Sequence, residues 1–121
     1  MSLNILAIDD SRTMRDMVKM ALTEAGFNVS LAEDGQQGLD VLEDMSPDVI
    51  ITDINMPVLD GFGFIEGARQ MDQHRAVPIL VLTTETATEM RMRARAAGAT
   101  GWIVKPFNKE NLIRVIHKVA A

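Results

Sequence analysis

The stretch VIITDINMPVLDG, Val49 to Gly61, opens on three consecutive apolar β-formers and soon reaches a carboxylate, Asp53. So short an apolar run, followed by Asn55, Pro57 and Asp60-Gly61, reads as a strand buried on both faces that ends in a turn. A buried strand has no packing reason to end on a bare carboxylate, because an unpaired charge is costly away from water. Asp53 therefore has to meet partners that other parts of the chain bring to it.

Working outward from Val49–Thr52, the same alternation repeats. Leu3 to Ile8 reads as a first strand. Met14, Met17, Val18, Ala21, Leu22 and Ala25 recur at helical spacing until Gly26. Phe27 to Ala32 reads as a second strand, and Leu39, Leu42 and Met45 mark a helix closed by Ser46-Pro47. Phe64, Ile65, Ala68 and Met71 form a third helical face, and Pro78 precedes a strand over Ile79 to Leu82. Met90, Ala94 and Ala97 give a helix that stops at Gly98; Trp102 to Val104 is a fifth strand; Leu112, Ile113, Ile116, Val119 and Ala120 give a last helix. Five β-α pairs imply an α/β fold, a doubly wound parallel sheet of five strands with helices on both faces. The common order for such a sheet is 2-1-3-4-5, with the ligand crevice at the carboxyl ends of strands 1 and 3.

That order makes the ends of strands 1 and 3 neighbours. Strand 1 ends in Asp9-Asp10, so three carboxylates, Asp9, Asp10 and Asp53, converge on the crevice. Like charges that close repel unless a cation sits among them. Magnesium is the natural choice, since Mg²⁺ prefers oxygen ligands and one or two carboxylates plus a phosphate; the backbone carbonyl of Asn55 is placed to complete the shell. Strand 4 ends at the hydroxyl of Thr83 and strand 5 at the ammonium of Lys105. A carboxylate nucleophile, a divalent ion, a hydroxyl and an ammonium are the parts of a phosphoryl transfer to an acyl phosphate.

At these residues the chain resembles the receiver domains of two-component response regulators. The pieces are Asp9-Asp10-Ser11, Asp53 with Met56-Pro57 and Asp60-Gly61, Thr83, and Lys105-Pro106-Phe107. The opening ILAIDDSRTMRDMV and an end after helix 5 look most like the single-domain chemotaxis regulators, a flavodoxin-like (CheY-like) fold. The resemblance implies one receiver domain over residues 1–121, with Asp53 as phosphoacceptor. It implies Asp10, Asp53 and the Asn55 carbonyl as Mg²⁺ ligands, Asp9 acting largely through water, and Thr83 and Lys105 binding the phosphoryl group. It implies a cis Lys105-Pro106 bond, and a tuning of dephosphorylation at Asn55 and Glu85. Trp102 stands where the family usually carries the Tyr or Phe that swings inward as its switch. Thr84 stands where a small residue is common and would narrow access to Asp53.

The implied activity is signalling rather than enzymatic turnover, with autocatalytic phosphotransfer and autodephosphorylation only. The implied donor is a histidine kinase. Net charge is −5, but residues 1–85 hold 15 Asp/Glu against 5 Lys/Arg, and residues 86–121 hold 2 against 7. The basic end points to an acidic partner surface: Arg91, Arg93 and Arg95 on helix 4, and Lys109, Arg114 and Lys118 on helix 5, beside Trp102, with Met90 and Met92 for apolar contact. The family parallel is the flagellar motor switch protein, bound through helix 4, strand 5 and helix 5; other members are phosphate sinks. Neither a nucleic-acid partner nor a membrane is expected. The chain has no cysteine, and Met1-Ser2-Leu3-Asn4 carries no basic leader, so a cytoplasmic setting is expected.

Two rivals use similar parts. A dehalogenase-type Mg²⁺ phosphatase needs an acid two residues after its nucleophile, and Asn55 is none. A nucleotide- or flavin-binding module needs a glycine-rich loop after strand 1, where Asp9-Asp10-Ser11-Arg12 would repel phosphate. His74 and His117, on an expected loop and helix, lack metal-ligand spacing and receive no role.

Overall fold

Three strands are buried almost throughout. They are β1 (Asn4–Ile8), β3 (Val49–Thr52) and β4 (Ile79–Thr83), flanked by the half-exposed edge strands β2 (Asn28–Ala32) and β5 (Gly101–Val104). All pair in parallel, in the order β2-β1-β3-β4-β5. This is the order expected from the alternation of strands and helices. The computed structural model describes residues 2–121; Met1, where the expected domain begins, lies outside them.

The period-two alternation of the strands sorts the core into two layers. Leu6, Ile8, Ile50, Ile79 and Val81 face α2 (Gly35–Leu42), α3 (Gly61–Gln70) and α4 (Thr88–Ala97), meeting Leu42, Phe64, Ile65, Ala68 and Ala94. Ile5, Ala7, Val49, Ile51, Leu80 and Leu82 face α1 (Arg12–Glu24) and α5 (Lys109–Ala120), meeting Val18, Leu22, Leu112 and Ile116. Burying one such side chain contributes about 1.5–3 kcal/mol, so each face gains cohesion from both ends of its β-α units.

Each helix starts at the carboxyl edge of the sheet. Ser11, Asp34, Asp60 and Asn108 accept from the backbone N–H groups of Met14, Gln37, Gly63 and Asn111, capping α1, α2, α3 and α5. Helix α4 has Ala87 at its N-cap and so no side-chain cap. It ends at Gly98, whose φ of 120° suits glycine and few other residues.

Some local readings need correction. Helix α2 ends at Leu42, before Met45, because its last turn tightens: Glu43 N–H donates to the Asp40 carbonyl and Asp44 N–H to that of Val41. Met45 still packs on the core from the loop. Met17 is 49% exposed, off the buried stripe of Val18, Ala21 and Leu22. Met90 packs against the core instead of joining Met92, which is exposed. His74 lies in a 3₁₀ turn, Asp72–His74, and is buried, its Nε2 2.8 Å from the Leu42 carbonyl oxygen. Its role is to tie the turn before β4 to the end of α2. Among the described residues no helix is long and apolar enough to cross a membrane.

Candidate functional site

Asp9 and Asp10 follow β1, and Asp53 follows β3, its neighbour in the sheet. Side-chain oxygens of the three lie within 4.8 Å of one another. Asp9 and Asp53 are buried; Asp10 is exposed. Lys105, just beyond β5, reaches across: its Nζ donates to Asp9 Oδ2 at 2.7 Å and to Asp53 Oδ2 at 2.8 Å. Burial alone would lower the pKa of this ammonium. The hydrogen bonds and charges of Asp53 and Asp9 outweigh that, and the pKa is raised. The Lys105-Pro106 bond is cis, as the family resemblance implied.

Asp53 is oriented from its other side. Its Oδ1 accepts from Ile54 N–H at 2.6 Å. The loop behind it closes when Gly61 N–H donates to the Ile54 carbonyl at 2.8 Å. A Cβ on residue 61 would stand 2.2 Å from the Asp53 carbonyl oxygen, so this approach requires glycine. Between them Val58 holds φ at 69°, a strained value for a β-branched residue.

Thr83 ends β4, fully buried, and its carbonyl accepts from Lys105 N–H at 2.8 Å. Its Oγ1 accepts from Glu85 N–H at 3.3 Å. Glu85 is a junction: its carboxylate accepts from Asn55 Nδ2 at 2.7 Å, and its carbonyl accepts from the indole N–H of Trp102 at 3.2 Å. The Asn55 side chain is thus directed to Glu85. Trp102 is half-buried and packs on the α2–α4 core.

The residues expected on the basic face separate. Arg91, Met92, Arg95 and Trp102 line one groove, and Arg91, Trp102, Arg114 and Lys118 line an adjoining one against α5. Lys109 instead pairs with Glu24 of α1 at 2.6 Å. Arg93 lies 4.0 Å over the ring of Phe62, on the α3 side. One neighbour of the acids escaped the sequence reading: Arg15, whose side chain is 14% exposed and whose Nη1 donates to the Asp9 carbonyl at 2.7 Å. The available signal was its place three and seven residues before Val18 and Leu22, a charge on an otherwise apolar stripe.

Comparison with known proteins decides the family. The family model described as the response regulator receiver domain matches residues 5–117. This chain belongs to that family. The receiver is a signalling domain of two-component systems, and neither the phosphatase nor the nucleotide-binding rival is the family found. It is 35% identical over 119 residues to chemotaxis protein CheY-3 of Vibrio cholerae, covering 98% of this chain and 92% of that protein. It is 34% identical over 116 residues to the sensor histidine kinase CheAY of Helicobacter pylori, where the match covers 94% of this chain and 14% of the longer protein. The solved structure of V. cholerae CheY4 superposes with a TM-score of 0.94 at 44% identity, covering 98% of this receiver and 99% of that chain. The receiver domain of sensor histidine kinase PA1611 from Pseudomonas aeruginosa superposes with a TM-score of 0.93 at 28% identity, covering 99% and 98%; that crystal structure has a magnesium ion coordinated in its active site cleft.

Proposed function

We propose that this receiver is a single domain that accepts a phosphoryl group on Asp53 from the phosphohistidine of a histidine kinase, in the cytoplasm, and signals by binding a partner. The observation that carries the reading is the double hydrogen bond of Lys105 to Asp9 and Asp53, with Asp10 alongside. Three carboxylates this close form a hard-oxygen donor set that fits Mg²⁺, held by Asp9, Asp10, Asp53 and the Asn55 carbonyl. Bound there, the ion would neutralise charge on the phosphoryl oxygens.

In the transfer, a carboxylate oxygen of Asp53 bonds to phosphorus while the phosphorus–nitrogen bond to the donor imidazole breaks, and the imidazole keeps the electron pair and takes a proton. Ile54 N–H holds the carboxylate plane. Lys105 offsets the charge that gathers on the equatorial oxygens. Thr83 Oγ1 already accepts from Glu85, so its own hydrogen is free to donate to the phosphoryl group. A move of Thr83 toward that group would release Glu85 N–H, and through the Glu85 carbonyl would reach Trp102. Trp102, Arg91 and Arg95 with Arg114 and Lys118 then form the output face, suited to an acidic amphipathic segment. The chemotaxis names of CheY-3 and CheY4 support a role in chemotaxis, with the flagellar motor switch protein as the partner class.

The test is phosphorylation by a small acyl phosphate with Mg²⁺, read by intact mass, alongside Trp102 fluorescence on adding beryllofluoride. Wild type should gain one phosphoryl group and change its fluorescence. Asp53→Asn should do neither; stoichiometric labelling of that variant would refute the assignment.

A further inference from the structure

Helix α1 carries a guanidinium on its buried stripe. Arg15 shares that stripe with Val18 and Leu22, and lines a small pocket beside Asp9, Asp53, Ile51 and Leu82. Its short contact is with a neutral carbonyl, that of Asp9, at 2.7 Å. The nearest carboxylate paired with it, Glu33, is 67% exposed and 3.8 Å away, an ion pair of little worth. Packing and pairing therefore leave the placement of a charged group here unexplained.

The geometry at Asp9 supplies the reason. Asp9 N–H donates to the Ala32 carbonyl at 3.1 Å, Asp9 Oδ1 accepts from Ser11 N–H at 2.9 Å, and Asp9 Oδ2 accepts from Lys105. The Asp9 carbonyl is the remaining handle, and Arg15 holds it. A trans peptide is planar, so fixing this carbonyl also fixes the N–H and the Cα of Asp10. Asp10 needs that support: among the described residues no hydrogen bond holds its side chain, which is exposed. It is nonetheless one of the three carboxylates that meet within 4.8 Å.

We propose that Arg15 is a positioning residue of the Mg²⁺ site, setting the Asp9–Asp10 peptide and through it the carboxylate of Asp10. This rests on the receiver reading above. Groups that orient metal ligands from behind are worth about 10–100-fold in metal affinity.

The experiment is a Mg²⁺ titration by calorimetry on wild type, Arg15→Met, Arg15→Lys and Glu33→Gln, with the thermal midpoint of each metal-free protein. Phosphorylation rates are taken across Mg²⁺ concentrations. Arg15→Met should raise the Mg²⁺ Kd about tenfold, and Arg15→Lys, which keeps a donor but loses the rigid fork, about threefold. Glu33→Gln should stay within about twofold. Saturating Mg²⁺ should restore the phosphorylation rate of Arg15→Met, which a merely structural lesion would not allow. An unchanged or tighter Kd in Arg15→Met, or a rate deficit that Mg²⁺ does not rescue, overturns the proposal. If Arg15→Met does not fold, Arg15→Lys decides: an unchanged Kd overturns it. Wild type that neither binds Mg²⁺ nor takes a phosphoryl group would bring down the proposed phosphoacceptor function as well, whereas normal behaviour in wild type and variants alike removes Arg15 alone.

Discussion

Lys105 holds two buried carboxylates, and that arrangement has a pH signature. Burial by itself would lower its pKa, but hydrogen bonds to Asp53 and Asp9 raise it overall. The folded protein thus holds this proton more tightly than the unfolded chain does. Its contribution to stability is complete below the unfolded lysine value of about 10.4. It is lost as pH rises through the higher folded value. In metal-free protein, the urea midpoint should be insensitive to this group between about pH 7 and about pH 9, and should fall above about pH 10.4. Lys105→Met should be less stable at neutral pH, because Asp9 and Asp53 lose their partner, and should show a smaller alkaline decline. An alkaline decline of the same size in that variant would assign the effect to other groups.

Among the α-helices, α4 is held least. It lacks a side-chain cap at the site end and fully buries one residue, Ala94. Its other end is pinned by Arg69 of α3, whose Nε and Nη2 donate to the Gly98 carbonyl at 3.1 and 2.7 Å, and whose Nη1 donates to the His74 carbonyl at 2.9 Å. Burial lowers the Arg69 pKa, yet a guanidinium stays charged at any ordinary pH, and a cation at a helix C-terminus also meets the helix dipole favourably. Helix α4 is therefore anchored far from the site and looser beside Glu85 and Trp102, where the proposed signal leaves. Arg69→Met should cost about 2 kcal/mol of stability and speed amide exchange in the last turn of α4. Mg²⁺ affinity should not change. Urea denaturation, hydrogen exchange and the same calorimetry check all three; unchanged exchange in α4 would show that its packing alone suffices.

Over the whole molecule, the strand order turns a charge imbalance along the chain into one across space. The exposed acids Glu33, Asp40, Glu43 and Asp44 lie around β2 and α2, at one edge of the sheet. Arg91, Arg95, Arg114 and Lys118 lie at the other, around β5. A charge dipole of this kind steers an acidic partner to one face and is screened by salt. A labelled acidic amphipathic peptide should bind the phosphoryl-mimic form, and more weakly in high salt by fluorescence anisotropy. Arg91→Glu with Arg95→Glu should weaken it about tenfold or more and leave Asp53 phosphorylation intact. Peptide affinity insensitive to both salt and charge reversal would exclude this face.

Periodicity and punctuation are local properties, so the alternation of strands and helices could be read directly from residue types. The carboxylates, the hydroxyl and the ammonium stand just at or after strand ends, where position along the chain already implies position in the crevice, so the meeting of the acids with Lys105 could be read as well. Partner choice was different. Lys105 meets Asp9 across 96 residues, Lys109 meets Glu24 across 85, and Arg69 meets Gly98 across 29. A long flexible side chain takes its direction from whichever distant elements pack beside it, and a helical pattern says which face is apolar without saying what lies opposite. The hold of Arg15 on Asp9, the burial of His74 and the departure of Lys109 and Arg93 from the basic face were accordingly decided by tertiary packing. The strands, their order and the acidic crevice were already determined by the sequence.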